Sequence, residues 1–312
     1  MTKFFGSTKM KNNTAKVVTG SKNLFLSISQ GIILLGIIFV ILSPIIGIVS
    51  DAIRDEIDSF NPMVFLIPHN FTTENFELAF IHMNYLRSLA LTAGTAFGAM
   101  ILQVLVCSFT GYGFARFRFP GRGVLFAIVI VTIIVPVQSY MVSLFAQFRF
   151  FGAFGIEFNL LNTFAPVLMM SALGVGIRSG LFIYIFRQFF KGLPKEIEEA
   201  ALIDGAGWLR TYVKVMLPNA SAAIITVSVF AFVWQYNDTF YASMFMHQFN
   251  LLPVRLLGLP GLLTTGVSIG ANTLVTLVVS AGVLLVIAPV IVLYLGIQRM
   301  FMEGVERSGI VG

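Results

Sequence analysis

The stretch Lys191–Pro218, KGLPKEIEEAALIDGAGWLRTYVKVMLP, is a polar island between two long apolar segments. Glu196, Glu198, Glu199 and Asp204 crowd into it, although only 11% of the 312-residue chain is charged. A segment packed in lipid has no use for four carboxylates so close together. The island therefore lies outside the bilayer, where another surface can read it. Its punctuation predicts an elbow of two short helices. Pro194 suits a first helical turn, where its missing N–H costs nothing. Glu196, Glu198 and Glu199 follow at the positive end of the helix dipole. Gly205 and Gly207 stop the helix, Trp208–Leu217 forms a second, and Pro218 breaks that one. Ala200 and Ala201 leave room for a partner surface to approach closely. The residues alone leave two readings open: a docking helix seated in a soluble partner's groove, or a plain amphipathic helix lying on the membrane.

Working outward, the chain is 57% hydrophobic and has a mean hydropathy of +0.90. Soluble domains carry about 25% charged residues, so the class is an all-α polytopic membrane protein. The net charge of +6 does not point to nucleic acid, because the Lys and Arg residues gather in one alternating set of short loops. Cys107 is the only cysteine and excludes an intramolecular disulfide. His69, His82 and His247 lie far apart without metal-ligand spacing. No phosphate-binding G-x-x-x-x-G-K-[ST] loop occurs, so any nucleotide chemistry belongs to another chain.

Six stretches reach the length needed to span about 30 Å of hydrocarbon: 24–49, 86–113, 122–146, 161–186, 219–239 and 272–297. Lys3, Lys9, Lys11, Lys16 and Lys22 precede the first, which reads as a retained helix behind a basic tail, 1–23. Arg116, Arg118 and Arg122 follow the second. Lys191, Lys195, Arg210 and Lys214 follow the fourth, and Arg299 and Arg307 follow the sixth. The segment 50–85 carries instead Asp51, Asp55, Glu56, Asp58, Glu74 and Glu77. The positive-inside rule then predicts six transmembrane helices, with N- and C-termini cytoplasmic and the island inside. Thr73 and Glu77 signal a helix leading into the membrane. In LLPVRLLGLPGLL, Pro253 and Pro260 predict a broken, re-entrant or surface-lying segment rather than a span.

The island also carries a family signature. Glu199-Ala200-Ala201, then Gly205, then Val215-x-Leu217-Pro218 resembles the EAA loop, E-A-A-x3-G-x9-I-x-L-P, of ABC importer permeases. Val215 replaces the usual Ile, and Asp204-Gly205-Ala206 matches the D-G-A form of sugar permeases. FTTENFELAF, GYGFARFRFPGR, PVQSYMVSLF and IFRQFFKGLPKEIEEAALIDGAG resemble the corresponding blocks of the maltose-type carbohydrate permeases. The tail GIQRMFMEGVERSGIVG is similar more loosely. The resemblance runs from about residue 70 to the end.

It implies a type I ABC importer permease (MetI-like) fold of the oligosaccharide class in a bacterial cytoplasmic membrane. A first helix 24–49 and an external segment 50–85 would precede a core 86–299, which holds the coupling loop 191–218, and a cytoplasmic tail 300–312 would follow. Glu199, Ala200, Ala201, Asp204, Gly205, Leu217 and Pro218 would couple to the ATPase. The implied partners are a second, homologous permease subunit in a heterodimer, two ATP-binding subunits that hold ATP and Mg, and an extracellular or periplasmic sugar-binding protein. This chain would carry no cofactor and touch lipid but no nucleic acid.

Polar groups inside the spans are the candidates for a substrate path: Gln138, Ser139, Arg178, Trp234, Tyr236 and Asn237. Arg178 falls well inside the fourth span, where a charge costs about 2.5–3.5 kcal/mol. It reads either as a donor to sugar hydroxyls or a sugar carboxylate, or as a gate or interface residue bonded to backbone carbonyls. Trp234, Gln235, Tyr236, Asn237 and Asp238 suit either sugar recognition or an interfacial aromatic belt. Three other readings compete. A permease for amino acids, peptides or phosphate shares the loop but less of the flanking sequence. An ion-coupled secondary transporter needs mid-span acids, which are missing. An intramembrane enzyme needs paired catalytic groups, and none is present.

Overall fold

The structure is a computed structural model that describes the backbone of residues 5–64, 66–153, 156–264 and 271–309, and side chains within 27–64, 66–152, 156–264 and 273–299. The tail lysines and Arg307, which carry part of the predicted orientation, lie outside the described side chains.

Helix α1, Phe5–Ala52, is followed by a cap with short helices α2, Glu56–Ser59, and α3, Glu74–His82. Helix α4, Tyr85–Arg116, is the central mast. Next come α5, Arg122–Ile134, a 3₁₀ turn at Val137–Ser139, and α6, Met141–Arg149. Strands β1, Phe151–Ala153, and β2, Ile156–Phe158, pair antiparallel with Phe151 opposite Phe158. Helices α7, Ala165–Ala172, and α8, Ser179–Gly192, lead into the island. The island holds α9, Lys195–Ile203, α10, Trp208–Thr211, a π turn at Tyr212–Met216, and α11, Leu217–Asn219. Helices α12, Ser221–Tyr236, α13, Phe240–Phe245, α14, Leu252–Thr264, and α15, Ala271–Gly309, complete the chain.

Ser27–Ala52, Tyr85–Arg116 and Thr273–Arg299 are long and apolar enough to cross a bilayer, and Trp208–Asn219 with Ser221–Tyr236 forms a further candidate bent by 79°. The β1–β2 hairpin departs from the all-α expectation. Two predicted spans are interrupted. The third stops at Ile134 because Val135, the residue before Pro136, is forced into an extended conformation (ψ 119°). The fourth breaks between Ala172 and Ser179, where Gly174 and Arg178 take φ of 71° and 57°. By contrast, the prolines expected to break LLPVRLLGLPGLL do not. Pro253 occupies the first turn of α14, and Pro260 lies inside that continuous helix.

Packing centres on α4. Helix α8 lies along it so closely that a Cβ on Gly111 would stand 2.6 Å from the Phe186 Cβ and 2.9 Å from the Arg187 backbone nitrogen. Around this seam an aromatic core gathers Tyr112, Phe182, Phe186, Phe190 and Tyr212. A second core joins α3, α12, α14 and α15 through Met83, Tyr236, Leu252, Leu259 and Val278. Pro289 sits inside α15 and lacks the N–H that would serve the Leu285 carbonyl four residues earlier. The Tyr85 hydroxyl donates to that carbonyl at 2.9 Å, and the Tyr236 hydroxyl donates to its neighbour, Val286 O, at 3.0 Å. Two tyrosines thus satisfy the backbone around a proline that lipid could not.

The cap between α1 and α4 closes on one carboxylate. Asp58 is 3% exposed. It accepts from the backbone N–H of His69 at 2.6 Å and of Asn70 at 2.7 Å, and from the Asn70 side chain at 2.7 Å. The Asn70 N–H, with the other donors, holds this carboxyl below the ordinary Asp value.

Candidate functional site

The elbow takes the predicted shape at its first helix and its glycine. Pro194 is the N-cap of α9, and Gly205 has φ 78°, left-handed geometry that glycine adopts without strain. Ala206 N–H closes on Ala201 O at 3.0 Å across it. Gly207 starts the second helix rather than ending the first, as the N-cap of α10. The second helix differs from expectation too. It runs on through a π turn, and the chain bends by 79° at Ala220, two residues beyond Pro218.

One face of the elbow is open. Glu199, Ala200, Asp204, Gly205 and Pro218 are exposed and Ala201 and Leu217 half-buried. Ile203, Trp208 and Leu209 are exposed beside them, Ile203 at 85%. Apolar bulk, small residues and two carboxylates therefore share one open surface.

The opposite face is closed by Glu198, only 6% exposed. Its carboxylate lies 3.2 Å from the Arg116 Nε and accepts from the Tyr112 hydroxyl at 2.6 Å. The Arg116 Nη2 also donates to Leu193 O at 2.8 Å. Tyr112 packs edge-on against Phe117 and Phe190 and tilted against Tyr212. The Tyr212 and Ser108 hydroxyls are 2.7 Å apart. The sequence alone does not single out this cluster: there Arg116 is one of the loop arginines that mark topology and Glu198 one of three neighbouring acids. The available signal was the four-residue spacing of Tyr112 and Arg116, which puts both on one helix face.

The second polar region is a cavity of about 730 Å³ between the two interrupted spans. Gln138, Tyr140, Arg178, Trp234, Asp238 and Tyr241 give it its polar and aromatic lining. Arg178 is the N-cap of α8 rather than the mid-helix residue expected. The buried Gln103 amide donates to Ile177 O at 2.9 Å and to Ser179 Oγ at 3.1 Å, which fixes the break on both sides of Arg178. Trp234 stacks between Phe182 and Phe230, with the Arg178 guanidinium 5.7 Å from its ring. Such a contact contributes about 0.5–2 kcal/mol, less than the insertion cost of the charge, so an aqueous opening is what makes Arg178 tolerable here. Asp238 caps α13, accepting from Ala242 N–H at 3.0 Å and Tyr241 N–H at 3.3 Å.

Of the predicted path residues, Gln138, Arg178 and Trp234 meet at this cavity. Ser139 lies in the adjacent 3₁₀ turn. Tyr236 is fully buried against α15 instead. Asn237 is exposed and donates back to Val233 O at 2.8 Å. Tyr140 and Tyr241 line the cavity without having been picked out, since nothing in their spacing marks them.

Interrupted apolar helices around a polar cavity, with a polar elbow beside a helix long enough to cross a membrane, suit the membrane component of a transport system. The chain belongs to the binding-protein-dependent transport system inner membrane component family, whose pattern matches residues 103–307. It is 28% identical over 248 residues to the alpha-glucoside transport system permease protein AglG of Rhizobium meliloti, spanning 78% of this chain and 62% of that one. It is 25% identical over 279 residues to the arabinooligosaccharides transport system permease protein AraQ of Halalkalibacterium halodurans, covering 88% and 93% of the two chains. A solved bacterial ABC transporter involved in importing the acidic polysaccharide alginate contains a chain of the same fold, with a TM-score of 0.73 and 23% identity over 90% of this chain and 98% of that one.

Proposed function

We propose that this chain is one of two permease subunits of an ATP-driven ABC importer that carries a sugar, an oligosaccharide by class, into a bacterial cell by alternating access. The observation that carries the reading is the elbow: an exposed face of Glu199, Ala200, Asp204 and Gly205, held at the end of a long membrane helix. That face suits the groove of a soluble ATPase, where a helix with small residues seats closely. ATP and Mg would reside on two ATPase chains, and an external binding protein would deliver the sugar. The relatives named for alpha-glucosides and arabinooligosaccharides support the substrate class.

On this reading the chain crosses the membrane six times with both ends inside. The interrupted pairs α5–α6 and α7–α8 count as one crossing each, and the boundaries expected from sequence (1–23, 24–49, 50–85, 86–299 and 300–312) stand. A second, different permease would complete the passage. The cavity at Gln138, Arg178 and Trp234 would form part of the path.

The test is substitution at the open face. Glu199→Lys and Gly205→Arg should leave the chain inserted in the membrane, lower oligosaccharide uptake at least about tenfold, and loosen co-purification with the ATPase chains. Unchanged uptake and co-purification in both variants would remove the docking role.

A further inference from the structure

Helix α9 connects to the membrane helices by three routes. Upstream, the chain joins α8 to α9 through Leu193 and Pro194, both extended (ψ 143° and 139°). Downstream, it reaches α12 through the π turn and the 79° bend, and Tyr212 in that turn is itself tied to Ser108 on α4 at 2.7 Å. The third route is not covalent. Glu198 on α9 lies against Arg116 and Tyr112, one turn apart at the C-terminal end of α4. Arg116 at the same time holds Leu193 O, on the upstream link. Removing one side of a buried ion pair leaves an uncompensated charge. The fastenings of the elbow therefore converge on the same end of α4, and Glu198 supplies that of α9 itself.

We propose that Tyr112, Arg116 and Glu198 form the joint through which motion of the elbow enters α4, so that α9 and α4 move as one body. Arg116 and Glu198 are then positioning residues for coupling. They face away from the docking surface and act through α9. The proposal rests on the reading of α9 as the ATPase-docking helix.

A distance measurement tests it in the assembled transporter. Cys107 is fully buried, so spin labels can be attached at Lys195→Cys on α9 and Leu86→Cys at the outer end of α4, both exposed. The 32-residue helix between them spans about 48 Å, within reach of pulsed electron resonance. With the joint intact, the distance should differ by less than about 2 Å between the nucleotide-free complex and the complex trapped with ATP and vanadate. In Glu198→Gln it should differ by about 5 Å or more, or split into two populations, with the ATPase still bound. Arg116→Gln should do the same, and Arg116→Lys should recover much of the fixed distance. A distance that follows nucleotide in the unmodified joint, or one that stays fixed in Glu198→Gln with the ATPase bound, overturns the proposal. So does loss of the ATPase from Glu198→Gln, which would give Glu198 a role in docking itself. Failure of the docking reading has a separate sign: the ATPase stays bound to Glu199→Lys.

Discussion

The C-terminal end of α4 and the cavity around Arg178 both place an arginine beside aromatic rings, and they treat it oppositely. Arg116 is buried, paired with Glu198 at 3.2 Å and bonded to Leu193 O. Arg178 is exposed to an opening, over Trp234. A buried ion pair braced by the Tyr112 hydroxyl and by the bond to Leu193 O holds its members in place. A cation facing an opening remains available to something that arrives. The first arrangement suits a part that transmits force, and the second a part that meets a solute.

Four outcomes would break or sharpen that contrast. The largest concerns the pair. Arg116→Ala leaves Glu198 buried without its counter-ion and should cost about 3–5 kcal/mol, seen as a collapse of thermal stability in detergent. Arg116→Met with Glu198→Met should recover most of that loss, because apolar replacement of a buried pair is often neutral. Arg178→Ala, at the exposed site, gives up its contact with Trp234 and should shift stability by no more than about 1 kcal/mol. If both arginines cost the same, the contrast is wrong.

Next comes the seam beneath the joint. Gly111→Leu must push Phe186 and the Arg187 backbone aside and should cost about 1–3 kcal/mol. Gly121, where a Cβ would meet nothing within 4 Å, carries no such penalty from packing, although its φ of 78° favours glycine. Third, Tyr85→Phe removes the donor to Leu285 O and should cost about 0.6 kcal/mol, the usual size of a hydrogen bond between membrane helices. A thermal melt gives both values.

The smallest effect is in the cap between α1 and α4. The folded Asp58 carboxyl is held below its ordinary value of about 3.9. Its contribution is therefore fully present above that value and is lost as pH falls through the lowered one. Amide exchange at His69 and Asn70, corrected for intrinsic rates, should accelerate below about pH 4 and stay protected at neutral pH. Asp58→Asn should show the faster exchange already at neutral pH.

What was legible in the sequence follows from the same contrast. The elbow was readable because its devices are local: Pro194 before a helix, acids in the first turn, Gly205 at a left-handed stop. The interruption at Val135–Pro136 carried a local signal as well, but the long apolar run outweighed it. The break at Arg178 depends on Gln103, more than seventy residues away in sequence, and no local pattern announces that bond. Tyr236 was misassigned for the same reason. An aromatic next to amides looks like a ligand contact until the carbonyl around Pro289 that it serves is in view. Glu198 shows the limit from the other side: among three acids in five residues, only the fold decides which one turns inward.

The most direct measurement is cross-linking from the tip of the elbow. A benzophenone-maleimide on Ile203→Cys, 85% exposed, should form an adduct with the ATPase chain of the assembled transporter, while the same reagent on Met63→Cys in the cap, 87% exposed and outside the cell in the proposed topology, forms none. An adduct from Met63 and none from Ile203 would contradict the elbow as the docking element.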